Sequence, residues 1–221
     1  MLSHTRPTLL SALLLPAAAL TLAAPTTSTL STSKTIKLTA NVLSSDLTPS
    51  IQSYELNPFA LSSTDASCAN ALGLSPASHG ALFHSDSETP SVFTLQTGTG
   101  YAQRLSAVVT PGGTATVPAA RAVGVDCGTS GTEGVGIVQK DDGSGTPVLR
   151  YGKEGSGWMA CPAGTLNAEV PADEGAVVVG YRDAGQRVLS GCAEVEFVAV
   201  CSDETDGGEA SAVEVPCVVV V

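Results

Sequence analysis

The 221-residue sequence has little positive charge and few aromatic rings. It contains 10 Lys and Arg against 21 Asp and Glu, a formal net charge of −11, and only 4% of its residues are aromatic. Proteins that bind nucleic acid neutralise phosphates with clustered Lys and Arg, so this composition excludes a nucleic-acid partner. Because 43% of the residues are hydrophobic and only 14% are charged, the chain can bury a core and is not disordered throughout.

Residues that usually form metal or catalytic motifs are also scarce. The chain has three histidines and no C-x-x-C pair, so it carries no zinc-binding pattern. Its glycine-rich segments complete neither G-x-S-x-G nor a phosphate-binding loop. His79 and His84 lie between Pro76 and Pro90 and are predicted to be exposed loop residues. We therefore assign no catalytic residue, no cofactor and no metal ligand.

Adjacent carboxylates are the remaining candidates for catalysis. Two carboxylates can hydrolyse a glycosidic bond, and the chain has such pairs at Asp141–Asp142 and Asp173–Glu174. With 21 acidic residues such pairs arise readily, and both lie in turn-like sequence. An extracellular hydrolase whose carboxylates come together only on folding stays an alternative.

The chain begins with the features of an export signal. A short basic start precedes the apolar run Leu9–Leu22, and small residues allow cleavage after Ala19 or after Ala23. The run is shorter than the ~20 residues that a membrane-spanning helix needs. We predict a signal peptide over 1–23, a secreted protein and no membrane span.

All six cysteines follow this signal, and an even number in a secretory route indicates disulfides rather than a catalytic thiol. They are Cys68, Cys127, Cys161, Cys192, Cys201 and Cys217. The segment from Cys192 to Cys201 is predicted to be one strand, about 30 Å long at about 3.3 Å per residue. Disulfide-bonded Cα atoms lie about 4.4–6.8 Å apart. This pair is therefore excluded, and the other pairings stay open.

Short strands separated by turns are predicted for most of the remaining chain. Apolar and polar residues alternate from Ile36 to Val42, as in a half-buried strand. The predicted strands are 36–42, 91–96, 101–110, 134–139, 147–151, 158–161, 175–182 and 192–201. The one helical candidate is 64–72, with Gly73 as its stop. Eight or nine short strands with turns between them predict an all-β fold, a disulfide-stapled sandwich or barrel with at most one short helix.

The composition also divides the chain into segments. Residues 24–34 are rich in Ser and Thr and are predicted to be a flexible leader that can carry O-linked glycans. Residues 35–201 have the size of a single β domain. Residues 202–221 begin with an acidic linker and end in an apolar tail, for which a final strand is favoured over a sticky segment.

Trp158 is the only tryptophan and the natural candidate for a sugar-binding platform. With Tyr151 and Tyr181 it is the predicted ligand contact of a carbohydrate-binding module. Its place just before Met159 and Cys161 favours the other interpretation, a residue of the core or one that covers a disulfide.

Several segments resemble an uncharacterised secreted domain of filamentous ascomycete fungi. They are Ser33–Val42, Asp46–Ser50, Val148–Tyr151, Gly157–Pro162, Val178–Tyr181 and Ser190–Val195. The Ala-Cys-Pro segment at 160–162 and the later Gly-Cys segment are also similar to the fungal phialide cell-wall protein family. The resemblance covers most of residues 34–201.

The resemblance implies a secreted or cell-wall-associated β-rich protein with no established enzymatic activity, and it carries over no catalytic residue. It includes Cys161, Cys192 and Cys201, among which we favour a bond from Cys161 to Cys201. We therefore predict a non-enzymatic structural or interaction protein of the extracellular space or cell wall, with wall polysaccharide as the candidate partner. The carbohydrate-binding module and the hydrolase are the alternatives.

Overall fold

The computed structural model describes residues 28–61, 69–85, 95–97, 105–127, 131–168, 175–204 and 212–220. These residues form fourteen β-strands in one sheet and a 3₁₀ turn at Ala163–Leu166, and they contain no α-helix. The all-β prediction is confirmed, and the sheet closes into a nine-strand barrel with additional strands. No helix among the described residues is long and apolar enough to cross a membrane.

The strands are β1 Ser28–Ser33, β2 Ile36–Ser44, β3 Glu55–Ala60, β4 Ala69–Ser75, β5 Phe83–Ser85, β6 Leu95–Thr97, β7 Leu105–Val108, β8 Gly124–Cys127, β9 Gly136–Gln139, β10 Pro147–Arg150, β11 Gly157–Pro162, β12 Val177–Arg182, β13 Ala193–Cys201 and β14 Val215–Val220.

The barrel closes through a ring of hydrogen-bonded neighbours. The order β13-β11-β12-β4-β8-β7-β6-β5-β2 returns to β13, because β2 pairs with β13 and β4 pairs with β8. β3 lies along β4 and meets β2 where Glu55 faces Thr39. Closure of this kind removes the free edges that an open sheet exposes.

β13 is the strand that most of its neighbours share. One edge pairs antiparallel with β2, from Glu194 opposite Ser44 to Cys201 opposite Ile36. The other edge meets β11, β10 and β14 in turn along its length. Its inward residues are buried, as period-2 alternation predicts, and are Ala193, Val195, Phe197 and Ala199.

The core is filled by large apolar side chains from many strands. Those less than 2% exposed include Ile36, Leu38, Leu56, Phe83 and Phe197. Burying one such side chain stabilises the fold by about 1.5–3 kcal/mol. These side chains pack against one another and fill the interior of the barrel.

Both ends of the described chain belong to the fold. β1 pairs antiparallel with β14, from Ser28 opposite Val220 to Ser33 opposite Val215. The prediction of a flexible leader over 24–34 is therefore wrong for 28–33, because β14 supplies hydrogen-bond partners for this segment. The apolar tail forms the final strand that its sequence favoured. The domain thus extends past residues 35–201 on both sides.

Two disulfides fix both ends of β13. Cys161 bonds to Cys192 and Cys201 bonds to Cys217, with Cα–Cα distances of 4.4 and 5.1 Å. The favoured bond from Cys161 to Cys201 is wrong, because Ala160 lies opposite Ala193 and the next pair outward brings Cys161 to Cys192. Cys192 and Cys201 bond to different partners, as the length of the strand requires.

The predicted helix over 64–72 is wrong for residues 69–72, which belong to β4; residues 62–68 lie outside the described part of the chain. Ala71 faces Phe59 of β3 on one edge and Gly124 of β8 on the other. Backbone pairing on both edges outweighs the weak helical preference of this segment. Gly73 lies inside the strand and ends no helix.

His84 also differs from its prediction. It lies in β5 and is 4% exposed, with Nδ1 3.2 Å from the carbonyl oxygen of Lys34. The loop prediction missed it because β5 is only three residues long and has no visible alternation. His79 is exposed, as predicted.

Gly73 is a position at which any side chain disturbs the packing. A Cβ there would overlap the ring of Phe59 and lie 2.9 Å from the carbonyl oxygen of Val177. We expect Gly73→Ala to lower the free energy of unfolding by about 1–3 kcal/mol, as overpacking does, measured by denaturant unfolding. Gly124→Ala in β8 is the matched control, because its Cβ would meet no atom closer than 3.8 Å. Equal stability of the two variants would contradict this account.

Candidate functional site

A pocket of about 210 Å³ opens where β2, β10, β11 and β13 come together, and we name it the Trp158 pocket. Its principal lining side chains are Leu43, Tyr151, Trp158, Arg182, Glu194 and Glu196. Two of the three predicted ligand contacts, Trp158 and Tyr151, thus line one pocket, and the third, Tyr181, packs against both.

The three aromatic residues form one cluster because of the strand register. Trp158 lies opposite Tyr181 in the β11–β12 ladder, so both rings share a face. The Tyr181 ring stands edge-on to Tyr151 at 5.0 Å and to Trp158 at 5.5 Å between centroids, within the range that aromatic pairs favour. Burial raises the pKa of the Tyr181 hydroxyl.

Trp158 is a core residue that only borders the pocket. It is 4% exposed, and its Nε1 donates a hydrogen bond of 2.9 Å to the carbonyl oxygen of Leu149. This burial agrees with the core interpretation rather than with an exposed platform on which a sugar ring stacks. Tyr151 is the partly exposed ring of the cluster.

Two carboxylates of β13 lie side by side at the pocket. Glu194 and Glu196 share the outer face because residues i and i+2 of a strand point the same way. Arg182 Nη2 donates to Glu194. Glu196 accepts from Lys140 Nζ at 3.2 Å and from Asn41 Nδ2 at 2.7 Å. Both carboxylates therefore already accept hydrogen bonds from cationic side chains.

Arg182 lines the pocket and, within the described part of the chain, has one buried donor without a partner. Its Nη1 donates to the carbonyl oxygen of Gly155 at 3.0 Å and its Nη2 donates to Glu194. Its Nε is buried and has no hydrogen-bond partner among the residues that the structure describes. Leaving a buried donor unpaired costs about 1–3 kcal/mol, so such groups are rare in folded proteins.

The sequence of this barrel matches the model of one protein family. A family model described as a domain of unknown function, DUF7907, matches residues 33–201. The chain belongs to this family. The match includes every strand of the closed ring and the whole Trp158 pocket, whereas β14 lies beyond it. No curated protein matches the chain, and no solved structure matches it.

In the acidic pair Asp141–Asp142 of the DUF7907 domain, Asp142 makes hydrogen bonds within a turn. Both residues lie between β9 and β10, where Asp142 Oδ1 accepts from the hydroxyl and the backbone N–H of Ser144 at 2.6 and 2.9 Å. The Lys140 ammonium is 3.1 Å from its Oδ2. These bonds, the Ser144 hydroxyl first, lower the pKa of Asp142 to about 2. Asp173 and Glu174 lie outside the described residues.

Metal binding has no visible site in this part of the DUF7907 domain. Within the described ranges, no group of three His, Cys, Asp or Glu residues is placed to hold a metal ion.

The polar residues of the Trp158 pocket were not among the predicted site residues. Alternation along β13 puts Glu194 and Glu196 on the face opposite the core. This alternation is the feature of the sequence from which the two residues could have been predicted. Arg182 carries no comparable signal, because its partner Glu194 comes from a different strand and the register between strands decides their meeting.

The pKa of Asp142 can be measured to test the effect of its hydrogen bonds within the turn. Its pKa of about 2 lies below its ordinary value of 3.8, so its contribution to stability is present above pH 4 and is lost as the pH falls toward 2. We expect an NMR titration of the side-chain carboxyl to give this low value and Ser144→Ala to raise it. An unchanged Asp142 pKa in Ser144→Ala would show that the Ser144 hydroxyl is not the cause.

Proposed function

We propose that this protein acts outside the cell of a filamentous ascomycete fungus, as a non-enzymatic structural or interaction protein of the cell wall or its surroundings. The disulfides Cys161–Cys192 and Cys201–Cys217 carry this proposal. Such bonds form and persist in oxidising compartments. The export-signal pattern over 1–23 and the resemblance to phialide cell-wall proteins support the same location.

The disulfides also suit a protein that must persist in the medium or the wall. They close segments with sequence separations of 31 and 16 residues. In the chain-entropy account, each loop of this length stabilises the folded state by about 3 kcal/mol. Both bonds attach to the ends of the strand that holds the barrel closed.

Cell fractionation tests the location. The untagged chain is expressed in a filamentous ascomycete, and an antibody locates it in medium, wall, membrane and cytosol. We expect it in the medium or wall, with its N-terminus at Leu20 or Ala24, because cleavage follows Ala19 or Ala23. Leu14→Arg interrupts the apolar run and should keep the chain inside the cell. A cytosolic wild-type protein with reduced cysteines would overturn the proposal.

The second candidate function is recognition of a carbohydrate in the Trp158 pocket. A sugar hydroxyl both donates and accepts hydrogen bonds. The pocket provides acceptors at Glu194 and Glu196, the guanidinium group of Arg182 as a donor, and a ring at Tyr151. Its volume of about 210 Å³ is below the ~300–1,000 Å³ of sites for drug-sized ligands, which suits a single sugar unit.

The geometry favours binding over hydrolysis at this pocket. A glycosidase of the common two-carboxylate kind needs one carboxyl group that is protonated. Glu194 is paired with Arg182 and Glu196 is paired with Lys140. These ion pairs engage the carboxylate oxygens that a catalytic acid would have to present to the glycosidic oxygen.

Arg182→Lys is the sharpest probe of this second function, because it keeps the positive charge beside Glu194 and removes the planar set of guanidinium N–H donors. Trp158→Ala is unsuitable, because deleting a buried Trp costs about 3–5 kcal/mol of stability. We expect Arg182→Lys to weaken the binding of wall-derived oligosaccharides about tenfold, the worth of one hydrogen bond to a charged group.

Binding is measured on a glycan array and then by calorimetry with the strongest oligosaccharide. Arg121→Lys is the matched control, because Arg121 is exposed and borders a different pocket. Near-UV circular dichroism checks that both variants are folded. Absence of glycan binding by the wild type, or equal affinities of wild type and Arg182→Lys, would refute carbohydrate recognition here.

A further inference from the structure

A second pocket lies away from the Trp158 pocket, between segment 47–54, β3, β4 and the start of β12. We name it the Tyr54 pocket; its volume is about 570 Å³, within the ~300–1,000 Å³ range of small-molecule sites. Ile51, Leu74 and Ala176 are buried at its base, and Tyr54 and Phe59 are partly exposed. It shares no lining residue with the Trp158 pocket.

The lining of the Tyr54 pocket is uncharged, although the chain carries a net charge of −11. Rings make up much of it: the side chains of Tyr54 and Phe59 and the pyrrolidine rings of Pro49, Pro76 and Pro162. The two aromatic rings present flat apolar faces that pack against another ring system, and the proline rings add further apolar surface.

One wall of the pocket is held in place by Asp46. Its Oδ1 accepts from the backbone N–H groups of Leu47 and Ile51 at 2.8 and 3.1 Å, and its Oδ2 accepts from the Ser50 hydroxyl at 2.5 Å. The backbone of Tyr54 is tied to β2, since its carbonyl oxygen accepts from Ala40 N–H at 2.7 Å. The segment is therefore ordered without a ligand, which lowers the entropic cost of binding.

The facing wall is fixed by close packing. The Phe59 ring lies against Gly73 so closely that any Cβ at this position would overlap it. The ring is therefore set in one place by the two strands that carry these residues, β3 and β4.

The pocket has hydroxyl groups for hydrogen bonding and no ionic partner. Thr48, Tyr54 and Ser75 are the lining residues that carry a hydroxyl group. Ser75 is 8% exposed, and its Oγ accepts from Asn57 Nδ2 at 3.2 Å, so its own hydrogen can be donated elsewhere. A ligand with one oxygen atom can be oriented by such groups.

We propose that the Tyr54 pocket binds an electrically neutral, ring-containing apolar small molecule that carries a single hydroxyl or carbonyl group. Flat rings match the walls, and the oxygen atom matches the hydroxyl groups of Tyr54 and Ser75. An anionic lipid such as a fatty acid does not fit, because its carboxylate would be desolvated without a cationic partner. The acidic surface of the chain would also repel it.

The experiment uses Nile red, a neutral and planar dye whose emission shifts to the blue in an apolar site, titrated against the purified disulfide-bonded protein. We expect saturable binding at one site. 2-Naphthol, which is neutral and carries one hydroxyl group, should displace the dye, and dodecanoate at the same concentration should not.

Gly175→Phe and Gly164→Phe form a matched pair of variants. A Cβ at either glycine would meet no atom within 4 Å, so a side chain can begin at both positions without a clash, and thermal unfolding checks that both variants are folded. Gly175 lines the Tyr54 pocket and Gly164 does not. We expect Gly175→Phe to weaken Nile red binding about tenfold by occupying the pocket, and Gly164→Phe to bind as the wild type does.

Several results would overturn the proposal. These are a wild-type protein without saturable Nile red binding, equal affinities of wild type and Gly175→Phe, or stronger displacement by dodecanoate than by 2-naphthol. If both variants lost Nile red binding while their thermal unfolding stayed unchanged, the dye would bind outside the Tyr54 pocket. This result would also refute the proposal.

Discussion

Hydrogen bonding along both edges of β13 is the constraint on which the rest of this structure depends. β2 pairs with one edge over nearly the full strand, and β11, β10 and β14 divide the other edge among them. Buried backbone groups must be paired, so these segments from distant parts of the chain have to converge on one strand. The bonds at Cys192 and Cys201 then hold both ends of that strand to its neighbours.

The same strand determines where the Trp158 pocket lies. Alternation along β13 directs Val195 and Phe197 into the core and leaves Glu194 and Glu196 on the outer face. β11 separates β13 from β12, and the long side chain of Arg182 on β12 reaches across it to Glu194. The stability of the barrel and the polarity of the pocket therefore have one origin, and a change in the β13 register would disturb both.

The parts of the fold that could be predicted are the long strands in which apolar and polar residues alternate. β2 and β13 each span nine residues with visible alternation, and their prediction needs no partner. β4 has no such pattern, because Ala71, Leu72 and Leu74 are buried on both faces of the strand, and so the segment was mistaken for a helix. The disulfides were mispaired for a related reason, since a register such as Ala160 opposite Ala193 is a property of two strands together.

The candidate site could be predicted only to the level of residue types. Trp158, Tyr151 and Tyr181 were singled out because aromatic residues are rare in this chain, and the structure does bring them together. The burial of these rings and the position of Arg182 beside Glu194 depend on how the strands pair. The sequence of a single strand does not show this pairing.

A filled core leaves no room for a ligand at the centre of the barrel. Ile36, Leu38, Phe83 and Phe197 occupy the space that a wider barrel would leave for a ligand. Binding sites must then form where other segments cover the barrel wall. The chain between β9 and β11 does this beside Trp158, at a pocket that also has acidic and basic side chains from β12 and β13. Segment 47–54 does it beside Phe59, at a pocket without any charge. Because the two linings differ so strongly in charge, the ligands proposed for the two pockets are separate molecules and not parts of one extended ligand.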